Sequence, residues 1–266
     1  MDAYFLGEVN LNEIVCSVSD NIFTRYSIGD GSDIRQEPID IQHLARPMAL
    51  LRLVRQWNLN YAKTGAQVPL FVKSHGACDI ANGVEMLPWQ LTKAVVHIVR
   101  DPRDAFLSFE KHMGFNDREL ALKAFTDKYR CLTDKNKAQV GDFISSWSHN
   151  TSTFVNNGTH NVFHVRFEDL KKDPQKWFES ILNHAGVKPD PEKVAKAIEM
   201  VSIEKLRKKE ESGGFIEASP HTKFFGKGEV GGWKGKLSPR DENRIIKECG
   251  SMMKHFGYID RIKRVA

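Results

Sequence analysis

Ala94-Val95-Val96-His97-Ile98-Val99-Arg100-Asp101-Pro102-Arg103-Asp104 is the stretch that decides the fold. Its first six residues are apolar or β-branched apart from one histidine, a length that suits a strand and not a helix. Asp101 then offers a side-chain cap, Pro102 fits the first helical position, and Asp104 stands in the first turn, where the helix dipole favours a carboxylate. A strand feeding directly into a capped helix predicts a β-α unit. A second unit follows in Asn161-Val162-Phe163-His164-Val165, and Asp173-Pro174 repeats the cap before Trp177, Phe178, Ile181 and Leu182. Upstream, Leu70-Phe71-Val72 reads as a further short strand. Strands separated by helices predict a parallel sheet, hence an α/β fold with helices on the faces of the sheet.

Outward from this centre, Pro47 starts a helical pattern in which Leu50, Val54, Trp57 and Tyr61 form a core stripe, with Gly65 as the stop. The 266 residues, 41 % apolar and 27 % charged, suit one ordinary globular unit and exclude disordered and fibrous readings. No repeat or long linker divides the chain, so a single domain over 1–266 is expected. No apolar run approaches the ~20 residues that span a bilayer, and Met1-Asp2-Ala3-Tyr4-Phe5-Leu6 lacks the features of a signal peptide. The expectation is a cytoplasmic protein with no membrane partner. Cys16, Cys78, Cys131 and Cys249 lie far apart without paired spacing, which suits reduced thiols. The net charge is +5, and residues 201–266 alone hold fifteen Lys and Arg against nine Asp and Glu. A local excess suits a bound anion, or a solvated basic helix, better than a nucleic-acid track.

In an open parallel sheet the ligand sits beyond the carboxyl ends of the strands. One such end reads Val72-Lys73-Ser74-His75, an ammonium and an imidazole two residues apart that can bind an anion and remove a proton beside it. A surface lysine and a hydrogen-bonded loop histidine are the plainer alternative. Another end reads Val99-Arg100, with Ser108 eight residues later on the following helix, a fork of donors for phosphate. Here the rival is an arginine paired with Asp101 or Asp104. The run Phe224-Phe225-Gly226-Lys227-Gly228-Glu229-Val230-Gly231-Gly232-Trp233-Lys234 sets four glycines around two lysines, leaving backbone N–H groups room to approach an oxyanion. A mobile connection would look similar. His75 and Cys78 admit a metal pair or a thiol nucleophile, but no second ligand pair completes a zinc site. No Gly-x4-Gly-Lys-Ser/Thr phosphate loop is present.

Taken in order, Lys73-Ser74-His75 after a strand, Val99-Arg100-Asp101-Pro102-Arg103-Asp104 with Ser108, Arg166-Phe167-Glu168-Asp169-Leu170, and the glycine run closely resemble the sulfotransferases that use 3′-phosphoadenosine-5′-phosphosulfate (PAPS). The resemblance covers residues 68–258, and Trp147 in an expected helix over 141–147 fits it. It implies a three-layer α/β domain with a parallel sheet flanked by helices, related to nucleotide kinases and their P-loop fold. It implies His75 as general base toward an acceptor hydroxyl or amine, and Lys73 as a cation for the transferring sulfuryl group. For the donor nucleotide it implies Arg100, Ser108, Lys227 and Gly228 at the 3′-phosphate, with Phe167 and Ser202 beside the remainder. PAPS is the implied donor, with no metal, and the acceptor is a small molecule or a glycan bordered by residues 76–90 and 209–225.

Three departures stand out: Phe167 replaces a frequent Tyr, Gly226 replaces a frequent Arg, and residues 234–243 lack the family's dimer motif. Residues 1–67 offer no counterpart of the loop that receives the 5′-phosphosulfate. Met1–Leu6 reads like the middle of the helix that follows that loop, so the resemblance implies a chain that starts inside the domain and lacks its first strand. A non-catalytic 3′-phosphoadenosine-binding module, or an inactive fragment, is the alternative reading. A phosphotransferase on the same fold ranks last.

Overall fold

The run that decides the fold becomes a strand over Val95–Val99, and the second valine-rich run becomes one over Val162–Arg166. The two pair in parallel, with Val95 opposite Val162, His97 opposite His164 and Val99 opposite Arg166. These contacts come from a computed structural model that describes residues 2–5, 7, 9, 71–81, 84–132, 142–215, 218, 221–226 and 228–260. The expected helix bearing Leu50 to Tyr61, together with Leu70 and Lys227, lies outside the described residues.

In chain order the described elements begin with α1 (Asp2–Phe5), β1 (Ile80–Ala81), β2 (Val84–Glu85), β3 (Val95–Val99), α2 (Pro102–His112) and α3 (Arg118–Phe125). Then come β4 (Cys131–Leu132), β5 (Asp142–Phe143), α4 (Trp147–Val155), β6 (Val162–Arg166), α5 (Phe167–Lys172) and α6 (Pro174–His184). Helices α7 (Pro191–Met200), α8 (Ile203–Gly213) and α9 (Pro239–His255) complete them. The β1–β2 and β4–β5 pairs are antiparallel.

Both expected caps form. The Asp101 carboxylate accepts from Arg103 N ahead of α2, and that of Asp173 accepts from Lys176 N ahead of α6, each with proline inside the first turn. Side chains alternate across a strand, and that alternation places helices on both faces of the β3–β6 pair. Phe163 stacks on His184 of α6 at 5.3 Å between centroids, while the adjacent His164 meets Phe256 after α9 at 5.7 Å. His97 stacks on Phe154 of α4 at 4.4 Å. Two cores follow: Phe106, Leu122, Phe125, Ile245 and Met253 join α2, α3 and α9, and Tyr4, Leu182, Val194 and Ala197 join α1, α6 and α7. Each fully buried large side chain contributes about 1.5–3 kcal/mol through removal of apolar area from water.

Two local expectations differ from the structure. Phe71 and Val72 lie in no strand, and only Lys73 takes part in a single bridge; a strand exists only where a partner supplies a ladder, and local β-propensity does not provide one. Residues 142–143 form β5 instead of helix, because Asp142 and Leu132, and Phe143 and Cys131, are paired across strands. Ser145 then turns with φ 63°, and α4 starts at Trp147 under a Ser146 cap.

Candidate functional site

Strand register builds the site. Because Val99 faces Arg166, the next residues, Arg100 and Phe167, leave the carboxyl edge side by side. The Arg100 guanidinium carbon lies 4.8 Å from the centroid of the Phe167 ring, within cation–π range. Its Nη2 donates to the Glu229 carbonyl at 2.9 Å, while its Nε is buried and has no hydrogen-bond partner among the described residues. Gly228 closes the corner in the left-handed region, φ +58°. A Cβ there would stand 3.7 Å from Lys171 Nζ and 4.0 Å from Phe167 Cζ. Thus Arg100, Phe167 and Gly228, three residues expected at a nucleotide, do converge; Lys227 lies outside the described residues.

The rival reading of Arg100 as a partner of Asp101 or Asp104 fails on this geometry. Asp101 is taken by Arg103, whose Nε and Nη2 reach Oδ1 at 3.0 Å and Oδ2 at 2.7 Å. Arg103 also donates to Glu242 at 3.0 Å and to the Tyr258 carbonyl at 3.0 Å, and it lies 3.9 Å over the Trp233 ring. Burial pulls its pKa down, but the hydrogen bonds and charges of Asp101 and Glu242 outweigh this and hold it above the ordinary value. Asp104 accepts from Gly231 N at 2.7 Å and from Trp233 N at 2.8 Å. The expected helix N-terminal donor also differs: Asp101 caps α2, and Asp101 N is itself held by Glu168 at 3.0 Å.

The glycine run is therefore pinned at both ends. At its entry the buried Glu210 accepts from Phe224 N at 2.6 Å and Phe225 N at 3.1 Å, and Arg207 Nε donates to the Phe225 carbonyl at 2.9 Å. At its exit stands Asp104. Neither carboxylate was expected to serve this loop. The run also spells Gly-x-Gly-x-x-Gly over Gly226–Gly231, but among the described residues it follows no strand and opens no helix, which separates it from a dinucleotide-binding turn. Ser108 is exposed on α2, one turn beyond Asp104 and so on the same helix face.

Beside the corner is a cavity of about 510 Å³ lined by Leu170, Lys171, Phe178, Ile198, Ser202 and Ile203, among others. Ser202 is the N-cap of α8, yet its hydroxyl makes no cap hydrogen bond. Lys171 and Ser202 thus line one space.

His75 and Lys73 are exposed on a segment whose described contacts run to α4 and β5. Asn150 Nδ2 donates to the His75 carbonyl at 3.1 Å, Ala77 N to the Phe143 carbonyl at 2.9 Å, and Cys78 N to Thr153 Oγ1 at 2.9 Å. Asp79 pairs with His149 at 2.9 Å. Cys78 receives Asn157 Nδ2 at 3.0 Å and lies 3.6 Å from His160 Nδ1. Burial first, then the charges of Asp79 and Glu85, push its thiol up to about 11, which opposes the thiol-nucleophile reading. Among the described residues no three His, Cys, Asp or Glu side chains gather as a metal ligand set, and no helix is long and apolar enough to cross a membrane.

Two Arabidopsis thaliana proteins, cytosolic sulfotransferase 13 and cytosolic sulfotransferase 5, are 27% identical to the chain over 165 and 164 residues, 58% of it in each case. Those stretches are 49% and 50% of the relatives, so the chain spans about half the length of the curated relatives it matches. Among solved structures, mouse sulfotransferase SULT7A1 complexed with PAP superposes with a TM-score of 0.52 at 16% identity, covering 74% of this chain and 73% of that one. Retinol dehydratase in complex with androsterone and PAP gives 0.50 at 18% identity, covering 76% and 61%. At such identities the likeness is one of fold, a parallel sheet flanked by helices. The sulfotransferase domain model matches residues 18–257, a span that takes in the motifs above and extends upstream of them, and the chain belongs to the sulfotransferase family.

Proposed function

We propose that this protein moves a sulfuryl group from PAPS to a hydroxyl or amine of an acceptor molecule, with His75 as the general base. Membership of the sulfotransferase family supports the reaction class. One observation carries the donor assignment: the buried Arg100 Nε without a described partner, next to the Phe167 ring and Gly228. Leaving such a donor unbonded costs about 1–3 kcal/mol, a cost that an accepting phosphate oxygen removes with a charge-assisted bond. Ser108 adds a hydroxyl for the same phosphate, and Lys227 and Gly228 complete it. The neighbouring cavity, with Ser202 in its lining, suits the rest of the nucleotide.

His75 accepts the proton of the acceptor O–H or N–H as that atom attacks sulfur. The new bond to sulfur forms while the bond from sulfur to the 5′-phosphate oxygen breaks, and 3′-phosphoadenosine-5′-phosphate departs with that electron pair. The Lys73 ammonium offsets the negative charge shifting across the sulfuryl group. Remote contacts to the 3′-phosphate hold the donor for in-line attack. A small-molecule or glycan acceptor and a cytoplasmic setting complete the reading, supported by the likeness to two cytosolic sulfotransferases and by the androsterone bound in a structural neighbour.

The test is His75→Ala. Transfer from PAPS falls by about 10²–10⁴-fold, the usual contribution of a positioned base, while calorimetric affinity for 3′-phosphoadenosine-5′-phosphate stays within about threefold of wild type. Parallel loss of transfer and binding would remove the base assignment. A wild-type protein that binds the nucleotide but transfers to no hydroxyl or amine acceptor would favour a binding module.

A further inference from the structure

The geometry points to Lys171 as a further ligand of the donor nucleotide, an ammonium that shares the 3′-phosphate with Arg100, and this rests on the donor reading above. Lys171 stands four residues after Phe167 on α5, so both project from one helix face. Its Nζ lies 3.7 Å from the position a Gly228 Cβ would occupy, and Phe167 Cζ lies 4.0 Å from the same point. The Arg100 guanidinium lies 4.8 Å from the centroid of the same ring and donates to the carbonyl of Glu229, the residue after Gly228. Two cations are thereby directed at one glycine corner.

The nearby carboxylates are committed elsewhere. Both Asp169 oxygens bind Arg166, at 2.6 and 2.7 Å. Glu168 holds Asp101 N at 3.0 Å and the Tyr258 hydroxyl at 2.9 Å. Asp104 holds the two loop amides, and Glu229 faces Lys236 at 3.4 Å. Glu204 lines the same cavity as Lys171, but no ion pair joins them among the described residues. The charge left over at the corner is positive, next to a buried N–H with no described acceptor. Gly228 matters for the same reason: a side chain there would lie between the ammonium and the ring, whereas glycine leaves the space to a ligand oxygen. An anion seated there meets Arg100, the backbone around Gly228 and Lys171 together, whereas a nucleotide lacking the 3′-phosphate has nothing to offer Lys171.

Calorimetric titration of the full chain with 3′-phosphoadenosine-5′-phosphate and with 5′-AMP separates the possibilities. Lys171→Gln weakens the bisphosphate by about 3–10-fold at 50 mM salt, as expected for one partly exposed charged contact. It leaves 5′-AMP within about twofold. Lys171→Arg keeps most of the bisphosphate affinity, and the Gln penalty shrinks by about half at 0.5 M salt through screening. Unliganded melting temperatures within about 2 °C of wild type show that the fold is intact. Equal weakening of both nucleotides by Lys171→Gln, or no weakening of either, would overturn the assignment while leaving the donor reading in place. A wild-type protein that does not distinguish the two nucleotides would overturn the donor reading and this assignment with it.

Discussion

Acid should destabilise this fold through one histidine pair at the centre of its sheet. His97 and His164 are register partners on β3 and β6, with their Nδ1 atoms 3.0 Å apart. Phe154 covers His97 from α4, Phe256 approaches both rings, and His255 stands beside His164. Burial, with His164 adding to it, pulls His97 down to about 3 from 6.5. Burial, with His255 adding, also lowers His164. His97 thus folds neutral, and between pH 6.5 and about 3 the unfolded chain binds a proton that the folded chain does not. Stability therefore rises with pH across that window and is lost as pH falls below 6.5, at up to about 1.4 kcal/mol per unit. From pH 7.5 to 4.5, His97 alone accounts for roughly 2–3 kcal/mol. Urea unfolding followed by tryptophan fluorescence at half-unit pH steps measures it, with His97→Phe, which keeps an aromatic ring against Phe154, as the reference. Other titrating groups largely cancel in the difference. The wild type should lose more stability than the variant over this range by that amount, and parallel stability curves for the two proteins would refute the reasoning. The strands concerned lead directly into Arg100 and Phe167, so the same acid loss should release bound nucleotide.

Arg100→Ala should weaken 3′-phosphoadenosine-5′-phosphate by about 10–100-fold, from loss of charge-assisted bonds of about 1.5–3 kcal/mol, with a far smaller effect on 5′-AMP in the same titration. Equal effects would place the guanidinium away from the 3′-phosphate. Asp104→Asn leaves one oxygen for the two amides of Gly231 and Trp233, so urea unfolding should show a loss of about 1–2 kcal/mol. Its nucleotide affinity should fall as the loop loosens; unchanged affinity would show that Asp104 serves the fold alone.

The β-α units were legible because their signals are local: valine-rich runs, Asp-Pro caps, and polar residues at the strand ends. Arg100, Phe167 and Gly228 were legible as candidates, but their adjacency was not, since it depends on Val99 meeting Arg166 across the sheet. Asp104 read as a first-turn carboxylate favouring the helix dipole, yet its oxygens serve a loop more than a hundred residues away. Glu210 fell within the expected acceptor border of 209–225, whereas its hydrogen bonds from Phe224 N and Phe225 N make it the loop's other anchor. Lys171 carried no sequence signal beyond its spacing from Phe167. Phe71 and Val72 had the composition of a strand but not its ladder, and residues 142–143 paired with β4 where a helix was expected. What was missed in each case is a long-range contact that no local pattern encodes.

The most direct measurement is a calorimetric titration of the wild-type chain with 3′-phosphoadenosine-5′-phosphate, with 5′-AMP as control. The account predicts binding that prefers the bisphosphate by at least about 10-fold, with the preference falling as salt rises. Equal affinity for the two nucleotides, or no binding of either by folded protein, would contradict it.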